Sequence, residues 1–371
     1  MKTNNYLWSM LVTATFVLTG CGSDENGITA PLPQGKTAQL ELCLTGSGVN
    51  TKATGGALPT QAEENTVKRF TVAIFNSDES VNAIQTVTDN TTSATTINCT
   101  PATNCTGIVV ANAPTDGYFS GVLNKTDFLK KTITLDDAQT KDCLPMSGDV
   151  KDGSGNATFT LSAGSNTGMT AQLSRLVARV SVSSIKTAFD PNGQYSAASY
   201  ELKNIFVRNA VKEAVPGTGG YSTTKMSTPD YLTGNYTGSS GTVAYLANSV
   251  TPPVSVGTEH KTDYWFYILP NEEATRTALV LEGTFKKSAS DAGTTIYYPI
   301  IVNKSQTGTN ITGASGTGTS NIARNTTYAI KATIKNIGTD DPTGEINPTS
   351  LELTVSVANW ALDITQDVTF E

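Results

Sequence analysis

The sequence predicts an all-β protein of two domains, with long Gly/Thr-rich loops and little helix. Three observations carry that prediction. Short segments along the whole chain alternate apolar and polar residues, the period-two mark of strands with one buried face. Thr, Ser, Gly and Asn abound while only 15% of residues are charged, a balance that favours strands joined by turns. At 371 residues the chain can bury two cores, and a Pro/Gly/Ser zone over Asp190–Ala198 supplies a break near its middle. The expected organisation is a signal segment at 1–20, a lipidated propeptide at 21–52, one β-sandwich at 53–189 and a second at 190–371.

At the front, Lys2 precedes an apolar run from Leu7 to Leu18. The run is shorter than the roughly 20 residues a membrane span needs, so it reads as a secretory signal. It closes on Leu18-Thr19-Gly20-Cys21, small residues before a Cys, which marks Cys21 for lipidation. One lipid chain holds a protein on a membrane only modestly. Gly22–Asn26 follows as a polar, acidic tether. Thr37–Thr45 then alternates strictly, with Ala38, Leu40, Leu42 and Leu44 on one face and Gln39, Glu41, Cys43 and Thr45 on the other. From Gly46 to Gly56 all periodicity stops, and the stretch holds one basic bond, Lys52-Ala53. Such a loop offers the extended, exposed backbone that a trypsin-like protease requires. A single cut there would release the strand that carries Leu40, Leu42 and Leu44.

In the body of the chain, Val67–Phe75, Gly107–Asn112 and Ala157–Leu161 read as strands. Phe119–Lys131 holds the one short helix expected in this half, and Leu144–Gly148 is a turn entering a strand. Leu173–Val182 reads as one strand, with Leu176, Ala178, Val180 and Val182 inward. Arg175 and Arg179 then share an exposed face, solvated or paired with nearby carboxylates. In the second half, Tyr200–Arg208 is a strand and Val215–Ser240 a loop. Tyr264–Asn271 carries aromatics on both faces, so it is buried on both sides or sits at an interface. Ala278–Phe285 and Ile296–Val302 form an antiparallel pair, and Gln306–Asn321 is loop. Thr327–Lys335 turns Tyr328, Ile330, Ala332 and Ile334 inward, and Leu351, Leu353, Val355 and Val357 share a face. The closing strand sets Leu362, Ile364, Val368 and Phe370 on one face, interrupted by Gln366. Its inside/outside code is that of Ala38–Thr45, so an acceptor groove shaped for one suits the other.

The net charge is −7. Loss of residues 1–52 leaves it unchanged, since Lys2, Lys36 and Lys52 go together with Asp24, Glu25 and Glu41. An acidic chain argues against nucleic acid and anionic membrane as partners. Of the five Cys, Cys21 is assigned to lipid and Cys43 lies in the removable strand. Cys99 and Cys105 bracket a short polar loop and are the favoured disulfide pair, Cys143 being left over. No metal or other cofactor is expected, because the chain has one His and no Cys-x-x-Cys spacing. That one, His260, falls in a polar loop, and no nucleophile elbow or phosphate loop is present, so no catalytic residue is assigned. Asp136-Asp137 and Asp340-Asp341 are adjacent pairs that point apart on a strand and suit Ca²⁺ only from a loop. A monomeric glycan-binding surface lipoprotein is the competing reading, with Tyr221, Tyr231, Tyr236 and Tyr245 as stacking aromatics. The matched first and last strands count against it, because a monomeric binder has no use for a removable strand.

Several segments together resemble the FimA/Mfa1-type fimbrillins of Bacteroidales. They are the lipobox at Leu18–Cys21, the strand and Lys52-Ala53 bond, Leu144-Pro145-Met146-Ser147-Gly148, Arg175–Val182, Tyr267-Ile268-Leu269-Pro270-Asn271, Asn325–Ile334 and Val357–Trp360. No single motif is specific; their order is. The resemblance implies two transthyretin-like β-sandwiches in a fimbrial subunit exported as a lipoprotein to the outer membrane. It implies a cut by a trypsin-like or arginine-specific protease, with Lys52 standing where the family has Arg. It implies polymerisation by donor-strand exchange with copies of itself, alongside minor fimbrial subunits and a host or bacterial ligand. A fimbrial tip adhesin is the nearest rival to a shaft subunit. A tip need not donate a strand, and the regular closing strand favours the shaft.

Overall fold

The computed structural model describes residues 37–46, 59–88, 97–217, 231–236, 240–272, 276–313, 316–344, 350–360 and 365–366. Cys21, Lys52, Ala53, Tyr221, Leu362, Ile364, Val368 and Phe370 lie outside them. In chain order the first part comprises β1 (Ala38–Gly46), α1 (Gln61–Glu64), β2 (Phe70–Phe75), β3 (Val81–Val87), β4 (Ile97–Cys99), β5 (Ala102–Ala111), α2 (Lys125–Leu129), β6 (Ile133–Thr134), β7 (Met146–Lys151), β8 (Phe159–Leu161) and β9 (Gly164–Arg175). The second comprises β10 (Ala178–Thr187), β11 (Ser199–Arg208), β12 (Ala210–Val211), β13 (Glu213–Ala214), β14 (Tyr231–Leu232), β15 (Ala247–Val256), β16 (His260–Ile268), β17 (Ala278–Lys286), β18 (Thr294–Ile301), β19 (Thr309–Thr312), β20 (Thr326–Ile334), β21 (Leu351–Asn359) and β22 (Thr365–Gln366).

The fold is an all-β sandwich. One sheet, built from strands of the first part with β22 of the second at its edge, runs β22-β1-β9-β7-β5-β2-β3, with β4 on β1 and β8 on β5. The second part has a sheet ordered β16-β10-β20-β21-β19 and another ordered β15-β11-β17-β18. Burial follows the period-two code. Ala38, Leu40, Leu42 and Leu44 go inward in β1, Tyr328, Ile330, Ala332 and Ile334 in β20, and Leu351, Leu353, Val355 and Val357 in β21. All of them belong to one continuous core cluster. The expected antiparallel pair is β17 with β18. Gly148 has a steric reason: a Cβ there would sit 2.2 Å from the Gln172 carbonyl oxygen, so β7 can lie against β9 only without a side chain. A short ladder between β6 and β13 links the two parts, Ile133 opposite Ala214 and Thr134 opposite Glu213.

Four local expectations are corrected. Leu173–Val182 is two strands, not one. β9 ends at Arg175 and β10 starts at Ala178 in the other sheet, paired with β16 and β20. The crossing thus falls upstream of the Pro/Gly/Ser zone at 190–198, and it sends Leu176 to a separate small cluster with Phe75 and Phe128. Arg175 and Arg179 are not on an exposed face: Arg175 is fully buried and the Arg179 side chain is 11% exposed. His260 opens β16 rather than lying in a loop. A second short helix, α1, precedes β2; its signal is the capping box in which Thr60 Oγ1 accepts from the Glu63 amide while the Glu63 carboxylate accepts from the Thr60 amide.

Candidate strand-exchange site

β1 lies parallel to β9 along its whole length, from Ala38 opposite Gly164 to Gly46 opposite Leu173. On its other side β4 pairs antiparallel with Ala38–Leu40, and β22 pairs antiparallel with Leu44 and Thr45. The inward side chains join a cluster that includes Met169, Ala171 and Leu173 of β9, Phe159 and Leu161 of β8 and Val150 of β7. The outward side is polar: Ser165 Oγ donates to Glu41 Oε1 at 3.1 Å, and Asn166 Nδ2 donates to the Gln39 carbonyl at 3.1 Å. A parallel pair cannot be joined by a tight turn. β1 is therefore held by side-chain burial, a long ladder to β9 and short ones to β4 and β22, and by no hairpin among the described residues. A backbone cut between β1 and α1 would leave β1 held by non-covalent contacts alone.

The chain leaves β1 beside Leu173 and reappears at α1, which is anchored on the same end of β9. Arg175 Nε donates to the Glu64 carbonyl oxygen at 3.1 Å, and its Nη2 donates to Asn65 Oδ1. Gly46 and Glu64, described residues on either side of Lys52 and Ala53 in the sequence, thus both lie near Leu173–Arg175. Arg69, another basic residue, immediately precedes β2. Arg69 is tied down, its Nε on the Ala113 carbonyl at 2.7 Å and its Nη2 on the Pro114 carbonyl at 2.8 Å.

Glu64 organises a buried polar cluster. Its carboxylate accepts two bonds from Arg179 Nη1, at 2.8 and 3.0 Å, one from the Tyr267 hydroxyl at 2.7 Å and one from Trp360 Nε1 at 3.1 Å. Two guanidiniums lie near the Trp360 ring, that of Arg175 at 4.4 Å and that of Arg179 at 4.8 Å, and the ring stacks on Tyr267 at 5.8 Å. Burial raises the Glu64 carboxyl above its ordinary range, and Arg179 and Tyr267 pull it back. Burial likewise brings the Arg175 guanidinium down to about 10, against the opposing pull of Glu64. Sequence reading assigned this cluster no role, because its members lie far apart in the chain and meet only through the crossing from β9 to β10.

Cys99 and Cys105, the expected disulfide pair, are separate buried thiols. Burial pushes Cys99 up to about 12 and raises Cys105 as well, so neither offers the thiolate that oxidation or alkylation needs. Cys99 is opposite Ala38, and β1 is the ladder partner of its strand. Cys99 is therefore expected to resist iodoacetamide in the precursor and to react many-fold faster in a processed, unassembled subunit. Mass spectrometry of labelled peptides checks this; equal rates would show that β1 does not shield β4. The acidic pairs make local turns: Asp137 Oδ2 accepts from the Thr134 hydroxyl, and Asp341 Oδ1 accepts from the Thr343 amide and hydroxyl. Tyr231, Tyr236 and Tyr245 are half-buried, and Tyr236 stacks on Phe206 at 4.6 Å. They do not form the exposed platform that sugar stacking needs.

The fold and the seated first strand define a β-sandwich subunit of the fimbrial type. The comparisons agree. The profile described as major fimbrial subunit protein (FimA) matches residues 38–175, which is β1 through β9, and that of the FimA4 pilin C-terminal domain matches residues 280–360, which ends on Trp360. The chain belongs to the FimA-type fimbrial subunits. Among solved structures, a fimbrilin (FimA) from Porphyromonas gingivalis W83 superposes with a TM-score of 0.65 at 19% identity, covering 88% of this chain and 99% of that one. A putative cell adhesion protein from Bacteroides eggerthii DSM 20697 gives 0.62 at 23% identity, over 92% and 100% of the two chains. Another from Parabacteroides distasonis ATCC 8503 gives 0.61 at 20%, over 89% and 100%. These likenesses show a shared fold. No curated protein matches the chain.

Proposed function

We propose that this fimbrial subunit is exported as a lipoprotein on Cys21, cut between Lys52 and Ala53 by a trypsin-like or arginine-specific protease, and polymerised by strand exchange. Removal of β1 opens the groove beside β9. The closing strand of a neighbouring copy, with Leu362, Ile364, Val368 and Phe370 inward, fills it. The observation that carries the proposal is β1 itself, buried on its apolar side yet joined to its neighbours by no hairpin. Strand addition of this kind draws affinity from main-chain bonds and specificity from alternate side chains in pockets.

Chain direction favours a neighbour's strand over the subunit's own. A strand keeping β1's direction enters at the Gly164 end of β9, whereas the closing segment starts after Trp360, whose carbonyl accepts from Arg175 at the opposite end, and its described pair Thr365–Gln366 runs antiparallel to β1. The two ends are separated by the length of β9, 12 residues, or about 40 Å at 3.3 Å per residue. A head-to-tail contact between copies that does not close on itself yields a filament. Minor fimbrial subunits and a host or bacterial ligand complete the proposal as partners.

The test is N-terminal sequencing of protein shed from the cell surface, with an unheated gel beside it. A start at Ala53 with a high-mass ladder is expected. A lipidated start at Cys21 with monomer alone would overturn the proposal in favour of a surface-bound monomer.

A further inference from the structure

We infer that the cluster of Glu64, Arg175, Arg179 and Trp360 is the joint through which a filament of these subunits transmits tension. The inference rests on the strand-exchange reading above. In that reading each subunit is pulled at two places. The neighbour's strand pulls on β9, with which it pairs. The subunit's own closing segment pulls on Trp360, from which it departs.

These two places are in direct contact. Arg175 is the last residue of β9, and its Nη1 donates to the Trp360 carbonyl oxygen at 3.2 Å. Every other polar group of Trp360 is also held: its amide donates to the Asn325 carbonyl at 2.8 Å, and its indole Nε1 donates to Glu64 at 3.1 Å. The ring is buried, with a guanidinium near it from each of two strands. A second connection runs alongside the first. Arg324 Nε donates to the Arg175 carbonyl at 3.0 Å and its Nη2 donates to the Ser174 carbonyl, while the adjacent Asn325 receives the Trp360 amide.

Tension entering on β9 therefore reaches Trp360 through a few short bonds. It need not cross the ladders of β10, β20 and β21, and the β20–β21 pair is not peeled from its end. This accounts for the chemistry of the joint. Burying two arginines and a glutamate is a poor route to stability, because desolvation offsets the attraction. Charge-assisted bonds do add fixed direction. A junction that must hold its geometry under pull needs direction more than it needs net stability.

The test shears filaments of processed subunits by a fixed sonication dose and measures fragment length by electron microscopy. The fragments are also run on an unheated gel to confirm inserted strands. Trp360→Phe keeps a ring and loses the Nε1 donor; Arg175→Met loses the bond to the Trp360 carbonyl. The control is Val280→Ala in β17, a core change outside the joint, with melting temperatures recorded for all variants. Fragments of the joint variants are expected to be several-fold shorter than those of wild type and of a control with an equal loss of thermal stability. Equal lengths in joint and control variants would overturn the inference, since a merely structural role moves both alike. If Arg175→Met fails to fold, Trp360→Phe and Arg179→Lys carry the same comparison. Filaments absent from processed wild type would overturn strand exchange and the joint together; filaments that shear alike overturn the joint alone.

Discussion

Replacing Lys52 with Ala is expected to abolish the polymer and leave full-length, lipidated monomer on the cell. The magnitude follows from β1. Its three inward leucines, each almost fully buried, contribute about 1.5–3 kcal/mol apiece, or about 4.5–9 kcal/mol together, an upper bound because a free strand already hides some surface. A whole domain is stable by only about 5–15 kcal/mol. While β1 remains covalently attached, its effective concentration at the groove is on the order of millimolar, far above that of a strand on another copy. An uncut subunit therefore stays closed to its neighbours. An unheated gel and the N-terminal sequence of the variant check this, and a normal ladder would rule out Lys52 as the processing site. The same figures say that a cut, unfilled subunit is marginal. Its melting temperature should fall by on the order of 10–30 °C relative to the precursor.

Deleting Ala361–Glu371 is expected to stop chain growth without stopping export or folding. Trp360, with its buried contacts, remains, and of the removed stretch only Thr365 and Gln366 make described pairings. A truncated subunit keeps its groove, so it accepts a strand but donates none. Mixed with intact subunits it should act as a terminator, shortening filaments in proportion to its share. Long polymers from the truncated chain alone would remove the closing strand from the donor role.

The strand code was readable residue by residue where one face is buried and the other wet. Ala38–Leu44, Tyr328–Ile334 and Leu351–Val357 are cases, because period-two alternation is a local property. What escaped depended on the chain's path. A continuous apolar pattern through Leu173–Val182 looks the same whether it makes one strand or crosses between two sheets. Only the crossing explains why Arg175 is buried. The Thr60–Glu63 capping box was legible in principle, though a helix of four residues leaves almost no periodic trace. The candidate groove was half legible: the sequence identified the strand that fills it, but its wall, β9, is defined by long-range pairing.

That pairing also fixes an order of events in time. Residue 38 lies opposite residue 164, so β1 can pair only after β9 has been made, and on the proposed export route it would emerge well before its partner. Contacts of large sequence separation form late, because loop closure must come first. On that route a new subunit would pass through an interval with its groove built and its own strand not yet seated. Seating of β1 and encounter with another copy would then compete during folding, before the proposed cleavage. Low subunit density at the site of export would serve that race as much as a fast fold does.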